Sequence, residues 1–150
     1  MSQADICSDG GREGTILACF AYPKDKFRDK PTFVAAAFFV EGIEKATTER
    51  TCLQGSQGWS PNEIEKARVA RINGVAFKVF EMTDNNWAGG SQWGPVYRTF
   101  HENKCYELGI QTAMERGGYD ASTIKKFTSE DRNEVQGRLK QALNSFAFLR

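Results

Sequence analysis

The stretch RINGVAFKVFEMTDNNWAGGSQWGPVYRTFHENKCYELGIQT, residues 71–112, decides the fold. Val75, Phe77 and Val79 alternate with Ala76, Lys78 and Phe80, the two-residue period of a strand. Val96 to His101 is a second run of this kind, rich in β-branched and aromatic residues. Cys105 to Thr112 is a third, with Tyr106, Leu108 and Ile110 on one face. Glu102-Asn103-Lys104 between the last two is polar and suits a tight hairpin. Upstream, Asn73-Gly74 is a strong hairpin dipeptide, so Ala67 to Ile72 is expected to pair with Val75 to Met82. Thr83 to Pro95 reads as a long connecting loop of thirteen residues holding three glycines and two tryptophans.

Working outward, Gly14 to Tyr22 alternates like a strand, and Pro23 ends it by removing a donor. Thr32 to Ile43 is the next strand; its run from Phe33 to Val40 is apolar on both faces, as a central strand would be. The three alanines allow a buried helix instead, but Pro31 and the aromatic and β-branched content favour strand. A short helix is expected around Ile43 to Glu49. Ser60-Pro61-Asn62-Glu63 carries Ser as N-cap, Pro at the first helical position and Glu three residues after the cap, so another short helix starts there. Thr128 to Asp131 repeats the capping signature, and Val135, Leu139, Ala142, Leu143 and Phe146 follow at helical spacing. This is the strongest helix, about Glu130 to Asn144, with Phe146, Phe148 and Leu149 as an extended tail beneath it. Residues 1–13 form an irregular lead-in, and no linker or repeat divides the 150 residues, so one domain is expected. Strands closed by one strong terminal helix give an α+β class, an antiparallel sheet of five to seven strands covered by helices.

Twenty basic and nineteen acidic side chains nearly cancel, and no dense cationic run marks a nucleic-acid surface. No apolar run reaches the roughly 18 residues of a membrane-spanning helix. The first residues lack the basic and apolar regions of a signal peptide. Two expectations follow, a cytoplasmic protein or a mature extracytoplasmic domain. Cys7, Cys19, Cys52 and Cys105 form no CxxC pair, which argues against a zinc knuckle. Cys7 and Cys52 sit in polar, irregular stretches where a disulfide restrains most, so they are the favoured pair; four free thiols is the alternative.

No catalytic motif, phosphate loop or metal-ligand spacing is present, so no catalytic residue, cofactor or metal is assigned. Asp84-Asn85-Asn86 is oxygen-rich but lacks the later bidentate Glu of a calcium loop. The lone histidine, His101, has Glu107 across the hairpin, with Arg98 nearby; together they are the only set on which a small hydrolase or ligand-modifying enzyme could be built. The candidate binding rim is Trp87 and Trp93, with Tyr97 and Arg98 at its base, Arg98 offering a fork of donors to a partner's carboxylate or phosphate. The competing view is that both indoles fold back onto the core. The partner is an unidentified protein or small ligand.

Tyr97 to Leu108, YRTFHENKCYEL, resembles the YRTFHNGxCYEL strand–turn–strand of a group of bacterial proteins without assigned function, typically exported. Ile72 to Phe77, Gly118-Tyr119-Asp120 and Asn144 to Leu149 resemble other parts of that group. Here Glu102-Asn103-Lys104 stands where the group often has Asn-Gly. The order of hairpin, strands and final helix with its SFxF-like tail is also similar to the PsbP-like fold, an antiparallel sheet sandwiched by helices in photosystem accessory proteins and a Ran-binding import factor. The resemblance implies α/β/α layers, a non-enzymatic accessory or protein-binding role and an extracytoplasmic home, periplasmic or secreted. A cytosolic interaction domain is the alternative.

Overall fold

In a computed structural model of the chain, residues 5–8, 12–84, 90–115 and 125–149 are described. Six strands, β1 (Thr15–Ala21), β2 (Phe33–Ile43), β3 (Arg68–Ile72), β4 (Val75–Asp84), β5 (Gly90–His101) and β6 (Lys104–Glu115), form one antiparallel sheet in the order β1-β2-β6-β5-β4-β3. Among the described residues, three α-helices accompany it: α1 (Glu49–Gln54), α2 (Pro61–Lys66) and α3 (Ser129–Ser145). The protein is therefore α+β.

β2 is buried along both faces because it lies between β1 and β6 and both faces are covered. Phe38 and Val40 face α3, in one cluster with Leu108 and Ile110 of β6 and with Val135, Leu139 and Leu143. Those three helix residues recur every four positions, and each is at most 4% exposed, so the apolar stripe of α3 is fully spent on the sheet. Burying each such side chain contributes about 1.5–3 kcal/mol. The opposite face carries Phe39, Glu41 and Ile43 of β2 and Cys105, Glu107 and Gly109 of β6, paired across the ladder. α1 lies against this second face, tied through Cys52 to Cys105.

Helix starts follow their caps. Ser60 and Glu63 form the expected reciprocal box at α2, and Thr128 and Asp131 do so at α3. The helix expected over Ile43 to Glu49 begins six residues later, at Glu49. Ile43 ends β2, and Thr48 is the residue whose side chain accepts from Thr51 N.

Both hairpin turns are two residues in left-handed conformation. Asn73 and Gly74 have φ 46° and 86°; Glu102 and Asn103 have φ 50° and 61° between the paired His101 and Lys104.

The expected loop from Thr83 to Pro95 is mostly strand. Asp84 pairs with Gln92, and β5 already begins at Gly90. Gly94 and Pro95, loop signals in the sequence, lie inside β5. The ladder to β6 passes from the Trp93–Thr112 pair to the Val96–Gly109 pair without them. Pro95 has no N–H to give, and Gly94, at φ 151°, runs so close to β6 that a Cβ there would stand 1.7 Å from the Ile110 carbonyl oxygen.

The cysteines pair as Cys7–Cys19 and Cys52–Cys105. The expected Cys7–Cys52 bond does not form. Cys19 and Cys105 look like strand hydrophobes in the sequence, but each sits beneath a short helical segment that packs on the sheet. Ile6 carries Cys7 onto β1 and β2, and α1 carries Cys52 onto β6.

Candidate binding site

α3 lies over β2 and β6; Ile72, Phe77, Val79 and Tyr97 on the same face are buried in its cluster, but toward the Trp93 end of β5 and the adjoining part of β4 that face opens. A cleft of about 650 Å³ opens there. Its floor is Trp93, Pro95, Tyr97, Ile110 and Met114, with Met82 and Gly94 at its edge; its walls are Arg68 and Glu81 on the strands and Arg132, Gln136 and Lys140 on α3. The α3 residues are spaced by four and form a polar stripe beside the buried one. The Arg132 Cζ lies 4.6 Å from the Trp93 ring centroid, a cation–π contact. Trp93 is half-buried, between the exposed rim and the core-capping positions that the sequence allows. Its indole Nε1 and the Arg132 Nε are both buried with no acceptor. Among the described residues, Arg68, Arg132 and Lys140 take part in no ion pair. Among the described lining residues, three cations against Glu81 make the balance positive.

Of the candidate rim, Trp93 and Tyr97 come together here, four residues apart on one face of β5. Trp87 lies outside the described residues. Arg98, one residue on, points to the opposite face, where the sheet holds a charged cluster. There its guanidinium donates to Glu107 Oε2 at 2.5 Å, Glu13 Oε2 at 2.6 Å and the Cys52 carbonyl at 2.8 Å. Its whole fork is thus engaged within the molecule. Gly55, at φ 58°, lets it in, since a Cβ there would meet Nη1 at 2.3 Å. Burial opposes the charge of Arg98, but Glu107 and Glu13 outweigh it and its pKa rises. Glu41 completes the cluster: Gly14 N–H donates to its carboxylate, and Arg12 lies 3.8 Å away while covering the Phe39 ring.

Burial raises the Glu41 pKa, partly offset by Gly14 and Arg12. Burial also raises that of Glu107, against the pull of Arg98. Burial works in the same direction on Glu13, but the Arg98 and Ser56 hydrogen bonds prevail and its pKa falls. This cluster straps residues 12–14 to the sheet, and its side chains satisfy one another.

His101 is separate from both. Its ring stacks on Phe148 at 4.4 Å, and its Nε2 is 3.8 Å from the Glu102 carboxylate, beyond hydrogen-bond length. Glu107, its possible partner across the hairpin, bonds Arg98 on the other face instead. Among the described residues, no group of His, Cys, Asp and Glu is clustered to hold a metal ion. No helix among them is long and apolar enough to cross a membrane.

Sequence reasoning missed the α3 wall and Met114. The four-residue spacing of Arg132, Gln136 and Lys140 was a usable signal, but which flank of the helix faces the open strands depends on the tertiary arrangement. Against known proteins, no family model matches the chain and no curated protein matches it.

Proposed function

We propose that the chain is a non-enzymatic accessory module of an oxidising, extracytoplasmic compartment that takes a partner molecule in the Trp93 cleft. The cleft itself carries this reading: an apolar, aromatic floor under cations that have no counterion among the described residues, in a volume suited to a small ligand or an inserted side chain. Two cysteine pairs favour the compartment, since such bonds persist where thiols are not kept reduced. Helical segments on both faces of an antiparallel sheet support the PsbP-like α/β/α reading and its accessory role, a fold-level analogy. His101, apart from Glu107 and stacked under the tail, favours binding over hydrolysis.

The test is an NMR screen of the ¹⁵N-labelled protein against small amphiphiles of negative, zero and positive charge. At least one is expected to move the Trp93 indole N–H resonance saturably, and Trp93→Ala is expected to abolish the response of the remaining cleft residues while the protein stays folded. A panel that leaves Trp93 unmoved overturns the reading.

A further inference from the structure

Resting on that reading of the cleft, we infer that its ligand is a small amphipathic anion: an apolar body carrying a carboxylate, sulfonate or phosphate head. The lining divides by chemistry. Trp93, Pro95 and Met114 offer area to an apolar body over the buried Tyr97 and Ile110, and the flexible Met114 adapts to its shape. The head group is fixed by the opposite wall. Arg132, Lys140 and Arg68 are donors only, and among the described residues none has an anionic partner and Glu81 is the single lining acid.

The buried donors point the same way. Indole Nε1 and guanidinium Nε can only donate, and where they stack neither meets an acceptor. A ligand oxygen entering beside Arg132, with a small shift of its guanidinium, supplies the missing acceptor, and the planar fork then grips it with two parallel hydrogen bonds. A cationic head would meet three like charges and find one carboxylate. A neutral apolar ligand would fill the floor but leave the donors as they are.

The experiment compares octanoate, octanol and octyltrimethylammonium, one chain with three head groups, each below its micellar concentration, by the Trp93 indole resonance and by calorimetry. Octanoate is expected to bind at least about tenfold tighter than octanol, the difference that one charge-assisted hydrogen bond makes. Octyltrimethylammonium is expected to bind weakest. Arg132→Gln should lower octanoate affinity about tenfold and leave octanol unchanged. Arg132→Lys should recover part of the loss, and Lys140→Gln should lower octanoate affinity with the fold undisturbed.

Equal affinities for all three compounds would overturn the anionic assignment and leave the cleft a binding site. No response of Trp93 to any of them would remove the cleft reading as well. Binding to phosphatidylglycerol vesicles with no octanoate effect would replace the small anion by a membrane surface.

Discussion

Removing the two disulfides separately should cost the protein unequal amounts, and the order follows from the chain between them. Cys52 and Cys105 are 53 positions apart, Cys7 and Cys19 only 12. If each bond acts by restricting the unfolded chain, the longer loop is worth ~4 kcal/mol and the shorter ~3 kcal/mol. Burial widens the gap. Cys52 and Cys105 are essentially inaccessible, packed with Ile43, Ala46 and Phe100, so Cys→Ala at both also leaves a void. Cys7 and Cys19 are only partly buried at the edge of a smaller cluster.

The assay is urea unfolding of C52A/C105A and C7A/C19A beside the unmodified protein, all without reductant. The long-loop variant should lose more stability by at least ~1 kcal/mol. Peptide mapping tests the pairing itself, because cleavage after Arg12, Lys24, Arg50, Lys66, Lys104 and Arg116 puts each cysteine in a different peptide. Equal losses, a larger loss for the short loop, a Cys7–Cys52 peptide, or four thiols titrating in denaturant would each refute this reasoning.

Leu139→Ala should cost about 2–5 kcal/mol by chemical denaturation, because the side chain is buried between α3 and the sheet; a loss under ~0.5 kcal/mol would place the stripe in water. Gly109→Ala should cost ~1–3 kcal/mol, since a Cβ there would stand 2.2 Å from the enclosed Phe39 ring; an unchanged midpoint would show that the ring can retreat. Glu41→Gln should gain on the unmodified protein as pH rises. Burial holds the Glu41 pKa above its ordinary 4.5, so its contribution is fully present below that value and is lost as pH climbs through the raised one. The difference in Tm between variant and parent should therefore increase from pH 4 to pH 8, and a difference that shrinks would reverse the assignment.

Much of the sheet was legible because its cues are local. Asn73-Gly74 dictates its turn, the apolar run of β2 announces burial on both faces, and Ser60 and Thr128 mark where α2 and α3 start. What escaped were features set by neighbours distant in sequence. Gly94-Pro95 says loop until β6 is placed alongside, when the pair becomes a close approach inside a strand. Cys19 and Cys105 say core until the segments packed above them are known. At the site, Trp93 and Tyr97 stand out in the sequence by their chemistry and share a face, whereas Arg98 next to Tyr97 turns away, as strand alternation requires. The cations of the cleft come from α3, and no local rule reveals which strands a helix leaves bare.

The seam between β2 and β6 joins the two halves of the sheet, and it is the costliest contact for the chain to reach. β3 to β6 follow one another as neighbours, and β1 and β2 form their own pair, but Ile43 must find Cys105 across 62 residues. Once Cys52 is bonded to Cys105, the path from Ile43 runs nine residues to Cys52 and then across the bond. Shortening that closure lowers its entropic cost by about 1.7 kcal/mol. The covalent link thus turns a distant encounter between two preassembled hairpin units into a nearly local one. Early oxidation at this pair should speed the search for the native sheet, and the reduced chain should leave the apolar flanks of β2 and β6 open to intermolecular association for longer.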